Sequence, residues 1–200
     1  MRSILAGICI GLGGTAWLMA ENKVVAAVLF CIALLSICYK GYDLFTGKAG
    51  YCGRTITWRQ LLLVLLGNFF GTFIAAGLAG LVDSHVVELA ANAMAAKLLA
   101  PWWSWCAKAF FCGLIMYLAV SIYNEKQSPL GILIGIPTFL LCGFEHSIAD
   151  FFYWHASHGV GGWQAILFLV VVVVGNFCGS FAASALEGNY DRCRLLQKHN

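Results

Sequence analysis

The chain has 200 residues, 61% of them hydrophobic and only 10% charged, with a formal net charge of +3. That balance excludes an ordinary soluble domain, and the lack of any basic cluster excludes nucleic acid as a partner. Nine cysteines form no Cys-x-x-Cys pair and lie mostly in apolar stretches, so no metal centre, disulfide framework or cofactor is expected.

Six apolar segments follow one another, at roughly 3–20, 24–42, 60–82, 102–123, 130–155 and 163–186. Short connections separate them, so residues 1–200 read as a single transmembrane domain in the lipid bilayer, with a short cytoplasmic tail at 187–200. In the first segment, Gly7, Gly11, Gly13 and Gly14 are close-packing positions. Leu18-Met19-Ala20 has the look of a signal cleavage site, but a lone Arg2 and continuity with further spans argue against removal. The second segment runs into Lys40-Gly41-Tyr42-Asp43-Leu44-Phe45-Thr46-Gly47. A glycine at each end and a polar centre either break the helix at membrane depth or mark the cytoplasmic end of the span.

The third segment contains GNFFGTFIAAGL, residues 67–78, and an outer loop bearing Lys97 leads to the fourth. The fifth is apolar to Cys142, then reads Gly143-Phe144-Glu145-His146-Ser147-Ile148-Ala149-Asp150, then is apolar again. Three ionisable groups within six residues cannot face lipid, and His146 is a functional candidate by position. Glu145 is also a candidate cap for a half-helix starting near Ser147. The sixth contains GNFCGSFAASAL, residues 175–186, identical to the third-segment copy at seven of twelve positions.

Lys and Arg favour one side. With the N-terminus inside, Arg2, Lys48, Arg54, Arg59, Lys126, Arg192, Arg194 and Lys198 are cytoplasmic, while outer loops hold only Lys23 and Lys97. Both termini are therefore expected in the cytoplasm of a multi-pass protein of the inner (cytoplasmic) membrane. The Gly-aromatic-acid breaks and Gly-Asn helices recur three spans apart, which predicts two inverted three-helix repeats, about 1–82 and 100–186, with broken second and fifth helices. Asn68 and Asn176 are expected at the repeat interface, each satisfying carbonyls freed by the opposing break.

The stretch Gly143 to Asp150 resembles the fifth-helix break of the formate–nitrite transporter family, whose pattern ends in Asn where this chain has Asp150. Lys40 to Gly47 is similar to that family's omega-loop signature apart from the bulky Tyr42, and Gly53-Arg54 through Thr57-Trp58 also match. The fourth-helix signature survives only as Gly113 and Val120, with Met116-Tyr117 and Ser121 replacing its Cys-Asn and second Cys. The resemblance covers essentially the whole chain, to about Leu186. It implies an all-α, aquaporin-like protomer in a homopentamer, carrying small monovalent weak-acid anions such as formate, nitrite or hydrosulfide. It also implies one constriction at Leu44, Phe45 and Thr46, and Phe144 with His146 across the central site. Glu145 then holds the imidazole's tautomer or charge, His146 relays a proton or contacts the anion, and Lys97 attracts anions.

Two other classes compete. An aquaporin-like channel for small neutral solutes shares the doubled design, but the chain lacks Asn-Pro-Ala and its breaks carry acids and a histidine. A membrane enzyme with metal at His155-x-x-His158 lacks HExxH, paired cysteines and GxSxG, so no enzyme activity is expected.

Overall fold

The computed structural model describes the backbone of residues 1–198 and the side chains of residues 1–188. The helices in chain order are α1 (Arg2–Met19), α2 (Lys23–Lys40), α3 (Phe45–Lys48, continued by a 3-10 turn, Ala49–Tyr51), α4 (Trp58–Val82), α5 (His85–Leu98), α6 (Trp102–Lys126), α7 (Leu130–Leu141), α8 (Ser147–Ala156) and α9 (Gly162–Lys198). Five of them, α1, α2, α4, α6 and α9, are long and apolar enough to cross a membrane. At 12 residues, α7 reaches only about 18 Å. Helix α9 continues to Lys198, so the expected tail at 187–200 is largely a helical extension; residues 199–200, and the side chains of Arg192, Arg194 and Lys198, lie outside the described residues.

Local sequence sets the ends. Asn22 caps α2 by accepting from the Val24 and Val25 N–H groups at 3.0 and 3.2 Å. Thr57 and Gln60 form a capping box at the start of α4. The two Gly-aromatic-acid breaks open the same way. Gly41 and Gly143 adopt left-handed φ of 64° and 66°. The next amide reaches back five residues, Tyr42 N–H to Ile37 C=O and Phe144 N–H to Phe139 C=O, both at 2.9 Å. These are Schellman closures, which need a residue free of Cβ strain at the left-handed position. Beyond the break the copies diverge: α3 is a single turn of four residues, whereas α8 has ten.

Packing is doubled as well. A Cβ on Gly7 of α1 would meet the Asn68 carbonyl of α4, and one on Gly113 of α6 would meet the Asn176 carbonyl of α9. These glycines let paired helices approach to backbone contact. Between the copies runs α5, which was expected as loop. Its buried residues Val86, Ala90, Met94 and Leu98 recur every four positions and form an apolar stripe against the bundle. Lys97 consequently sits in the last turn of a docked helix rather than in an outer loop.

Candidate transport site

Each break exposes backbone groups that membrane burial would leave without water, and one asparagine serves each. Asn68 accepts from the Phe45 N–H at 2.8 Å and donates to the carbonyls of Asp43 at 2.9 Å and Ser3 at 2.7 Å. Asn176 accepts from the Ser147 N–H at 2.8 Å and donates to the carbonyls of Glu145 and Ala109, both at 2.8 Å. The expectation that each asparagine serves the opposing break is corrected: each amide holds the break of its own half. The reason is proximity along the chain, since the Gly-Asn helix packs directly on the first helix of its half.

The side chains of the two breaks meet at the centre. Thr46 and His146 are buried, and Thr46 Oγ1 lies 3.0 Å from His146 Nε2. His146 is also the N-cap of α8, its Nδ1 accepting from the Ala149 N–H at 3.1 Å. A ring nitrogen that accepts carries no proton, so the neutral imidazole is assigned the Nε2–H tautomer, which donates to Thr46. Backbone geometry therefore holds the tautomer, a role expected of Glu145; the cap of α8 is likewise His146 and not Glu145.

Phe139 stacks on the imidazole, ring centroids 5.5 Å apart at 24°, and Phe30 meets Phe139 edge-on at 6.1 Å. Phe144, expected across the site from the loop, stacks instead on Phe111 of α6 at 5.5 Å. Phe144 is half-buried there, while Phe139, earlier on α7, is the ring that stacks on the imidazole. Leu44 and Phe45 are both buried. A cavity of about 600 Å³ lies at the first break, with Tyr42, Leu44, Gly47, Lys48 and Val120 among its lining. Lys48 and Asp43, both in its lining, pair at 2.9 Å.

Beside the second break lies a charge cluster. The Lys97 ammonium bonds the Glu145 carboxylate, approaches Asp150 Oδ1 to 3.0 Å, and stands 5.7 Å over the Tyr153 ring. Lys108 Nζ is 3.9 Å from the other Glu145 oxygen. Glu145 and Asp150 are buried, the lysines only partly. Glu145 thus engages lysines rather than the imidazole, and Lys97 has its charge met by two carboxylates. Lys97→Met would strand those carboxylates, a change worth roughly 3–5 kcal/mol. The variant is expected to melt well below wild type in detergent, which a thermal-shift measurement checks.

His155, one of the two residues considered for metal, bonds Thr72 Oγ1 at 3.2 Å and packs edge-on against Phe69. Among the described residues no three His, Cys, Asp or Glu side chains gather around a metal-sized site. Sequence reasoning overlooked Phe139, Lys108 and the pairing of Asp150. A lysine inside a span and an acid where the resembling pattern has Asn were the signals available; nothing local marked Phe139.

The family profile described as Formate/nitrite transporter matches residues 1–187. The chain is 30% identical over 185 residues to Uncharacterized transporter YwcJ of Bacillus subtilis, covering 75% of this chain and 69% of that protein. It is 25% identical over 219 residues to Formate-nitrite transporter 3 of Toxoplasma gondii, covering 90% of this chain and 44% of that protein, so it spans less than half of the longer relative. A solved structure described as an FNT family ion channel aligns with a TM-score of 0.78 at 25% identity, over 95% of this chain and 88% of that one. A pentameric formate channel with formate bound aligns at 0.76 and 22% identity, over 98% and 96%, a likeness of fold.

Proposed function

The chain belongs to the formate/nitrite transporter family, and we propose that it passes small monovalent weak-acid anions of the formate, nitrite or hydrosulfide type through a pore in each protomer. The observation that carries this reading is the buried Thr46–His146 hydrogen bond, which joins the two breaks between apolar rings. Leu44 and Phe45 on one side and Phe139 on the other penalise a bare charge. At the centre, the Thr46 hydroxyl and the Nε2–H group can both turn their protons to an anion that displaces their mutual bond. An anion met by two donors crosses at lower cost than one met by none.

Proton coupling has a stated requirement. Giving up the Nε2 proton from the neutral ring would leave an imidazolate, so a relay must pass through imidazolium. Protonation at Nδ1 breaks the cap on the Ala149 N–H. The ring therefore acts first as a hydrogen-bond donor, and any proton relay is linked to release of that cap. The two halves are read as inverted repeats, about 1–82 and 100–186, in one domain. The protein is further placed as a homopentamer in the cytoplasmic membrane with both termini inside, a reading supported by the positive-inside bias and by the pentameric neighbour.

Counter-flow in liposomes with formate, nitrite, hydrosulfide, acetate and lactate tests the function. Saturable exchange of at least one of the first three is expected. Water or glycerol permeation in stopped-flow, with no anion exchange, would replace this reading with that of a neutral-solute channel.

A further inference from the structure

The cluster beside the second break counts to zero: Lys97 and Lys108 bring two positive charges, Glu145 and Asp150 two negative ones. Removing any one member would leave a net charge beside the second break, next in sequence to His146. Glu145 is held in place on both sides, its backbone carbonyl by Asn176 and its carboxylate by Lys97. Asp150 is held differently. It is 1% exposed, and neither carboxylate oxygen receives a hydrogen bond of good geometry from any described residue. Its 3.0 Å approach to Lys97 is a charge contact only. A buried carboxylate whose one close partner is an ammonium already bonded to Glu145 adds desolvation cost for little further pairing. Its main electrostatic effect falls on the Lys97 ammonium.

We propose that Asp150 is a specificity-determining residue: by cancelling the second half of Lys97's charge, it keeps the outer approach to the pore electrically neutral, so that the site takes monovalent anions weakly and gives divalent anions no advantage. This rests on the anion-pore reading above. An uncompensated unit charge within several ångströms of an anion changes its occupancy by roughly tenfold or more at protein-like screening. A net positive mouth would hold a divalent anion twice as strongly as a monovalent one in electrostatic energy, and so would become blocked by it. Tyr153, under the Lys97 ammonium, supplies a ring face and no compensating charge.

The test is Asp150→Asn, which keeps size and shape while making the cluster net positive. Formate or nitrite flux should show a half-saturating concentration lowered by roughly tenfold, with maximal flux no higher than wild type. Sulfate or oxalate should inhibit this variant and not wild type. Lys108→Met carries the opposite sign and should raise the half-saturating concentration; it also keeps the idea testable where Asp150→Asn does not fold. A half-saturating concentration unmoved or raised in Asp150→Asn overturns the proposal, as does one unmoved in Lys108→Met. Flux in wild type with these outcomes defeats this inference alone, whereas no anion flux in wild type defeats the pore reading beneath it.

Discussion

Asn176→Ala is expected to leave little folded protein. The side chain holds the Ser147 N–H and the Glu145 carbonyl, which belong to no helix ladder, and it also reaches the Ala109 carbonyl of α6. Stranding the first two, at about 1–3 kcal/mol each, costs roughly 2–6 kcal/mol in a domain where water cannot substitute. That is comparable to the whole margin of many folded proteins. Detergent extracts should show aggregated protein by size exclusion, and any soluble fraction should melt far below wild type. Asn176→Asp keeps the acceptor for Ser147 but sets a second oxygen against the Glu145 carbonyl, so it should not rescue. A melt near wild type for Asn176→Ala would mean that the break is held by packing and not by the amide.

The largest effect on transport is expected at His146. His146→Phe removes the central Nε2–H donor and the acceptor that caps α8 in one step. Loss of a hydrogen bond to a charged group, at about 1.5–3 kcal/mol, corresponds to roughly a 10- to 100-fold fall in anion flux. The pH dependence of any remaining flux in proteoliposomes should disappear. His146→Asn separates the two roles of the ring, because an asparagine oxygen can still cap Ala149 while the amide donates without titrating. Flux restored without pH dependence supports a relay through the imidazole. Flux restored with the wild-type pH profile places the proton path elsewhere and leaves His146 as a donor only.

Much of this architecture was readable from the chain because it depends on short-range chemistry. The apolar runs set α1, α2, α4 and α6, and the start of α9, to within a few residues, and Gly41 and Gly143 marked both breaks, since left-handed closure favours glycine. The partnership of His146 with Thr46 was readable only as two candidate residues 100 positions apart, because contact across the halves depends on how the bundle closes. Helix α5 was missed for a different reason. With Glu88 and Lys97 among small residues it is too polar for a span, and its four-residue stripe of Val86, Ala90, Met94 and Leu98 was hidden in a connection. That omission also misplaced Lys97, whose surroundings follow from the docking of α5 onto α8. The direction of each asparagine clamp was misjudged because the doubled pattern invites pairing between halves, whereas the Gly-Asn helices bind within them.

The confinement of each clamp to its own half bears on time as well as stability. Asn68 ties Ser3, Asp43 and Phe45 together, and Asn176 ties Ala109, Glu145 and Ser147, so neither break has to rearrange its backbone when the pore is used. What an anion must displace at the centre is one side-chain bond, between Thr46 and His146, and the rotation of a hydroxyl and of ring neighbours such as Phe139. These are local side-chain motions among buried groups, distinct from the microsecond-to-millisecond rocking of whole domains. On the anion-pore reading, transport that needs no backbone rearrangement is expected to turn over as in a channel, with a shallow temperature dependence of flux; a steep dependence in liposomes would point to a carrier cycle instead.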